Sequence, residues 1–304
     1  RQIVTSEEAM RFESVPKSVI VLGGGVIGCE FASVWKSFGA EVTIVEGLPR
    51  LVALEDESSS KQLERAFRKR GINFVTGVKF ASASKSDSGV TITLEDGSTH
   101  SAEVLLVAVG RGPVTSGIGY EEQGIAMDRG YVLVDNKCRT NVPGVWAVGD
   151  LIPTLQLAHV GFQEGILVAE EIAGLNPRPI NYDGVPRVTY SEPEVASVGL
   201  STAKAKELGY DVEEISYDLA GNGKSQILKT AGSIKLVQQK GGPVLGIHMV
   251  GARVGELIGE AQVIYNWEAN AQDVAPFVHA HPTMNEAMGE AFLALAGKPL
   301  HAHG

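Results

Sequence analysis

"SVIVLGGGVIGCEFASVWKSFGAEVTIVE", Ser18 to Glu46, is the stretch that decides the fold. Ser18 to Leu22 is a short β-branched run, the composition of a strand. Gly23, Gly24, Gly25, Val26, Ile27 and Gly28 follow as G-x-G-x-x-G. Phe31, Val34, Trp35 and Phe38 then recur at helical spacing until Gly39 stops the pattern. Glu41 to Glu46 reads as a second strand. A strand, a crossover helix and a further strand make a parallel pair.

The bare glycine pattern occurs in many turns, so its setting carries the meaning. Gly23 permits the tight turn, Gly25 lets the backbone approach a pyrophosphate, and Gly28 lets helix and strand pack closely. The helix start, with Val26, Ile27, Cys29 and Glu30, offers unpaired N–H groups and partial positive charge to phosphates. Glu46 ends the next strand about 20 residues on, where the dinucleotide fingerprint places an acid. Its carboxylate suits the ribose hydroxyls of NAD and would repel the 2′-phosphate of NADP. Arg50 is the nearest cation. Cys29 sits among apolar helix positions and reads as a buried, inert thiol.

Working outward, a helix is expected from about Asp56 to Arg70, stopped by Gly71, then a strand in "INFVTG". "VTITLEDGSTHSAE" alternates and turns at Asp96-Gly97, as a hairpin does. "VLLVAVG", Val104 to Gly110, is apolar throughout, as a central parallel strand should be. A second unit starts near Thr115, with a helix from about Leu157 to Ala173. "LNPRPINYDGVP" reads as a linker, and from about Tyr182 the alternating strands and trailing helices indicate a separate α+β domain. The expected fold is α/β: Rossmann-like dinucleotide domains, with a parallel sheet and a β-hairpin or meander, followed by an α+β domain.

The 304 residues carry a formal net charge of −10, which argues against nonspecific nucleic-acid binding. No apolar run reaches the length of a membrane span. Cys29 and Cys138 are the only cysteines, far apart in sequence, so neither a CxxC nor a CxxxxC pair is present. The chain opens on Arg1 rather than Met and reads as a fragment.

Further motifs converge on one family. "TNVPGVWAVGD" ends an apolar strand at Asp150, and "QLAHVGFQEG" begins at Gln156. Taken alone, Asp150 could simply cap the next turn, and His159 could be a packed polar residue. Together with "VAVGRGP", "YSEPEVASVGL" and "HAHPTMNE", they resemble the class I pyridine nucleotide–disulfide oxidoreductases. The resemblance covers nearly the whole chain and is greatest to the members that oxidise protein-bound dihydrolipoamide. It implies NAD and FAD as cofactors. Glu30 would lie near the nicotinamide, and Val78 and Gly110 would line the NAD site through their backbones. Asp150 would hold the flavin's ribityl chain, with Gln156, Leu157, Ala158 and His159 at its pyrimidine edge.

The same resemblance divides the chain into four parts. Residues 1–15 would be the returning tail of the FAD domain and 16–114 the NAD domain. Residues 115–182 would be part of the FAD domain and 183–304 the dimerisation domain. The implied partners are a second copy of the chain and the lipoyl domains of a 2-oxo acid dehydrogenase acyltransferase core. The implied compartment is a bacterial cytoplasm or the mitochondrial matrix. The family's own FAD-binding glycine loop and CxxxxC pair do not occur in these residues, so the chain alone is expected to be inactive. Asn285 stands where the family has serine. A transhydrogenase-like or glutathione reductase-like member, or a non-catalytic NAD-binding fragment, are the other readings.

The resemblance also gives His281 a task. It would exchange protons with the substrate dithiol across a dimer interface, oriented by Glu286. Thr283-x-x-Glu286 is at the same time a capping box, so Glu286 could serve the helix that follows. A zinc site from His279, His281, His301 and His303 is a weaker alternative, and no metal is expected.

Overall fold

The computed structural model describes residues 2–301, which divide into two compact units: residues up to Val109 together with those from Pro186 onward, and Gly110–Val185. The first unit begins with β1 (Ile3–Thr5), α1 (Ser6–Ala9), β2 (Ser18–Leu22), α2 (Val26–Ser37), β3 (Glu41–Glu46), α3 (Glu57–Arg70) and β4 (Ile72–Thr76). Then come β5 (Phe80–Ser86), β6 (Gly89–Leu94), β7 (Thr99–Ala102) and β8 (Val104–Val107). A parallel sheet runs in the order β1-β8-β2-β3-β4, and β5-β6-β7 is an antiparallel meander.

Both faces of the parallel sheet are covered, which is why its strands are apolar throughout. Val19, Val21, Ile44 and Leu106 pack with Cys29, Ala32, Trp35, Leu63 and Phe67 of α2 and α3. Ile20, Leu22, Val45 and Leu105 face the other way and meet Val90, Ile92 and Leu94 of the meander. Asp56 caps α3, accepting from the Ser58 N–H at 2.9 Å, and Gly71 ends that helix in the left-handed region at φ 74°.

Two features differ from the sequence reading. Residues 1–15 suggest a returning tail of another domain, yet Ile3–Thr5 is the edge strand of this sheet, paired in parallel with β8. Three residues with one buried side chain carry too weak a pattern to announce a strand. Second, the expected hairpin has a third strand, β5, whose seven residues are all exposed. With no buried face it shows no hydrophobic alternation.

The second unit holds a two-stranded ribbon, β9 (Met127–Asp128) with β10 (Tyr131–Val132), and α4 (Ala158–Ile172). Val132, Cys138, Ala147, Ile152 and Leu167 form its core.

From Pro186 onward the first unit continues with β11 (Arg187–Thr189), β12 (Glu194–Gly199), α5 (Thr202–Glu207), β13 (Val212–Asp218) and α6 (Gly223–Leu228). It closes with β14 (Ser233–Gln239), β15 (Val244–Gly251), α7 (Val254–Asn266), α8 (Ala271–Val274) and α9 (Glu286–Leu295). The sheet is antiparallel in the order β11-β12-β15-β14-β13. Residues of α7 (Leu257, Ile258, Ala261) and of α9 (Met288, Ala291, Phe292) share its core.

Although β14 alternates in sequence, six of its seven residues are buried. Lys235 of β14 pairs with Asp56 at 3.0 Å, and Ser197 of β12 donates to Glu55 at 2.5 Å. A polar face that would otherwise meet water is thus turned against the nucleotide fold. Burial works to raise the Asp56 pKa, but the Ser58 hydroxyl, His248 and Lys235 hold it well below the usual carboxylate range.

Candidate functional site

The glycine loop between β2 and α2 is built on contacts that admit no side chain. A Cβ on Gly28 would lie 1.9 Å from the Gly23 carbonyl oxygen, and one on Gly23 would lie 2.2 Å from that of Ala108. Gly25 is different, because a Cβ there would meet nothing within 4 Å. Its exposed backbone borders open space at the start of α2.

Glu46 braces this loop. One carboxylate oxygen accepts from the Gly24 N–H at 2.5 Å and the other from the Leu48 N–H at 2.7 Å. Arg50 is committed elsewhere. Its guanidinium donates to the carbonyls of Ala53 and Glu55 at 2.7 and 2.9 Å and to the Ser60 hydroxyl at 3.0 Å.

The Cys29 thiol is fully buried. Burial, then the charge of Glu46, pushes its pKa far up, so it is no nucleophile. Glu30 accepts from the Tyr190 N–H at 2.8 Å. Its burial raises the carboxyl pKa, and that hydrogen bond offsets only part of the rise. Val78 is half-buried against the meander core, while Gly110 is exposed with φ 125°.

In the second unit, Asp150 is exposed in the tight turn Gly149–Leu151. Leu157 is the N-cap of α4, with Ala158 and His159 exposed in its first turn. The Gln156 amide nitrogen is buried and has no hydrogen-bond partner among the described residues. Glu164, which the sequence reading passed over, is fully buried at the centre of this region. It accepts from the Gly149 N–H at 2.6 Å, the Thr154 hydroxyl at 2.8 Å and the Tyr182 hydroxyl at 2.9 Å. It therefore ties the turn carrying Asp150 to the middle of α4. Cys138 is buried too, and burial followed by the charges of Glu164 and Asp135 pushes its thiol up to about 11.

His281 stands in the loop before α9, 76% exposed, with Nδ1 2.8 Å from Glu286 Oε1. The other Glu286 oxygen accepts from the Thr283 N–H at 2.9 Å. Glu286 thus divides its two oxygens between His281 and the Thr283 backbone. The expected capping box does not form, because α9 starts at Glu286 with Asn285 as its N-cap and no side-chain cap bond, and the Thr283 hydroxyl donates to the Ala280 carbonyl. Burial raises the Glu286 pKa, but the Thr283 N–H and His281 outweigh it and leave a net lowering. A carboxylate accepting at Nδ1 favours the tautomer with the proton on that nitrogen.

The other histidines are engaged separately. His279 pairs with Glu260 and His301 with Glu290. Among the described residues no three metal-ligating side chains converge, and His303 lies outside them. None of the helices among those residues is long and apolar enough to cross a membrane.

The described residues thus present a glycine loop with an acid at the end of the following strand, a helix-start turn and an exposed His–Glu pair. Comparison with known proteins identifies the family. Residues 1–165 match the model described as pyridine nucleotide-disulphide oxidoreductase, and residues 185–292 match that family's dimerisation domain. The chain belongs to the pyridine nucleotide-disulphide oxidoreductase family.

Among its relatives, the dihydrolipoyl dehydrogenase of Bacillus subtilis is 40% identical over 308 residues, covering 99% of this chain and 65% of that protein. The mitochondrial dihydrolipoyl dehydrogenase of Schizosaccharomyces pombe is 41% identical, covering 99% of this chain and 60% of that one. The crystal structure of LpdA from Mycobacterium tuberculosis matches with a TM-score of 0.89 at 28% identity, over 96% of this chain and 64% of that one. The chain thus spans less than two thirds of the length of each.

Proposed function

We propose that the chain forms the pyridine-nucleotide site, part of the flavin site and the acid–base centre of a dihydrolipoyl dehydrogenase. In this reading residues 16–114 bind NAD, 115–182 contribute to the FAD domain and 183–304 pair with a second copy. The observation that carries it is the exposed His281–Glu286 pair, which has a base ready at Nε2 but no activated nucleophile beside it among the described residues. A base of this kind serves a substrate that brings its own thiols.

The residues fit both cofactors. The open backbone at Gly25 leaves room for a pyrophosphate at the α2 N-terminus, with Val26, Ile27, Cys29 and Glu30 in the first turns. Glu46 selects NAD over NADP, and Arg50, bonded to three local acceptors, is not available to a 2′-phosphate. Glu30 and Val78 lie on the nicotinamide side. The unpartnered Gln156 amide, with Leu157, Ala158, His159 and Asp150, fits the polar edge and ribityl chain of FAD. FAD held there would supply two-electron redox chemistry.

The chain's own residues handle the proton. His281 takes it at Nε2 from a dihydrolipoamide thiol, and Glu286 holds the imidazole in the required tautomer and stabilises the imidazolium. The exposed His281 would face the lipoyl domain of a 2-oxo acid dehydrogenase core across a homodimer interface. The compartment would be a bacterial cytoplasm or the mitochondrial matrix. Two measurements test the reading. Titration of this chain should show tighter NAD than NADP binding at physiological salt. The flavin-loaded full-length protein should oxidise dihydrolipoamide with NAD as acceptor. Preference for NADP, or no dihydrolipoamide turnover by the full-length protein, would overturn it.

A further inference from the structure

We infer that Glu260 of α7 is a positioning residue for His281, acting through His279 and Asn285. The inference rests on the acid–base reading of His281 given above and extends it to the support of the loop. His279 Nε2 lies 2.9 Å from Glu260 Oε1, and the Asn285 side-chain amide donates to Glu260 Oε2. One carboxylate thus takes hold of the loop on both sides of His281, two residues before it and four after.

The platform is firm. Val254, Leu257, Ile258, Ala261 and Ile264 of α7 are buried, so the helix that carries Glu260 is anchored in the domain core. The His279 ring is held on its other edge as well. A Cβ on Gly289 of α9 would lie 2.6 Å from His279 Nδ1, so the ring fills the space that this glycine leaves. The Asn222 amide adds a third hold, donating to the Thr283 carbonyl at 3.0 Å.

The His279 side chain is only 10% exposed, against 76% for His281. It cannot meet a bulky dithiol, and its bond to Glu260 is therefore structural rather than catalytic. Glu286 sets which nitrogen of His281 carries the proton. Glu260 sets where that ring stands, because both flanks of its loop end on one fixed carboxylate. Displacement of a catalytic group by about 1 Å is enough to lower a rate on the order of 10²-fold.

The test uses the flavin-loaded full-length protein with Glu260→Ala, Glu260→Gln, Asn285→Ala, the double variant Glu260→Ala/Asn285→Ala, and His281→Gln as reference. Glu260→Ala should lower kcat for dihydrolipoamide oxidation on the order of 10²-fold. The KM for NAD and the rate of hydride exchange between NADH and flavin should stay at their wild-type values. Glu260→Gln, which keeps one acceptor oxygen, should recover part of the loss. The double variant should be no slower than Glu260→Ala, because both substitutions remove the same clamp. Histidine side-chain ¹⁵N spectra of this chain should show one His281 tautomer, and a mixture in Glu260→Ala.

Wild-type kcat in Glu260→Ala beside a crippled His281→Gln would overturn the positioning role and leave the acid–base reading intact. Wild-type dithiol turnover in His281→Gln would overturn that reading itself. Should Glu260→Ala not fold, Glu260→Gln and Asn285→Ala decide, and wild-type kcat in both overturns the inference.

Discussion

The glycine loop and the His281 loop do their work by opposite means. The glycine loop is held largely by close backbone approach, with the Gly23 carbonyl against Gly28 and the Ala108 carbonyl, just past β8, against Gly23, and Glu46 reaching back to the Gly24 N–H. Its functional groups are backbone N–H groups, so spacing alone encodes it. The His281 loop is held by the side chains of Glu260 and Asn222, and the group proposed to act there is one exposed imidazole. A backbone site is specified by where side chains are missing. A side-chain site is specified by partners that a motif does not contain.

That difference predicts where damage goes. The largest effect should come from His281→Gln in the flavin-loaded full-length protein, with dithiol oxidation falling about 10²–10⁴-fold while NADH-to-flavin hydride exchange survives. Stopped-flow measurement of each half-reaction would show whether the two loops are as separable as their construction implies. Equal losses in both would break the comparison.

Next is the buried pair between the nucleotide fold and the β14 sheet. Lys235→Ala leaves the Asp56 carboxylate buried without its cation and should cost about 3–5 kcal/mol at neutral pH by denaturant unfolding. The sign with pH is specific. Asp56 has a depressed pKa in the folded protein, so its stabilisation is present above the usual carboxylate range and lost as pH falls through the folded value. The deficit of the variant should therefore shrink on acidification.

Two glycine substitutions sharpen the backbone side. Gly28→Ala forces a Cβ onto the Gly23 carbonyl and should destabilise by about 1–3 kcal/mol, with loss of NAD binding. Gly25→Ala meets open space and should leave stability within about 0.5 kcal/mol while NAD affinity falls. Thermal unfolding with parallel calorimetric titration checks the pair. A stability loss in both would mean that Gly25 is structural.

The smallest effect concerns Glu286. Its pKa is lowered in the fold, so its contribution is present above the unfolded carboxylate value and lost as pH falls through the lower folded one. Glu286→Gln should remove that acid limb, by under about 1 kcal/mol at this partly exposed site. An unchanged acid-unfolding profile would show that the His281 contact contributes nothing to stability.

What was legible follows the same division. The Ser18–Glu46 unit and the capped helix to Arg70 were readable from period and punctuation in consecutive residues, and the central strand at Val104 from its unbroken apolar run. The edge strand Ile3–Thr5 and the exposed strand Phe80–Ser86 were not, since neither presents a sustained buried face. Among site residues, His281 and Glu286 were visible as a motif. Glu164 and Glu260 sit inside helices whose apolar periodicity hides them, and only the folded chain shows what their carboxylates hold. The double burial of β14 was hidden for a related reason, because Lys235 reads as solvent-facing until Asp56 is seen opposite it.

The position of Glu46 bears on how this protein could change over evolutionary time. The carboxylate proposed to discriminate between nucleotides is also the brace of its own glycine loop, through Gly24 and Leu48. A lineage moving toward phosphorylated nucleotides could not simply trade this residue for a cation, since the exchange would loosen the loop it was meant to retune. Arg50, one turn away, offers no shortcut while its guanidinium ties down Ala53, Glu55 and Ser60. Cofactor preference here is inherited as a block of several residues, and a single-step variant would lose its first nucleotide before it gained a second.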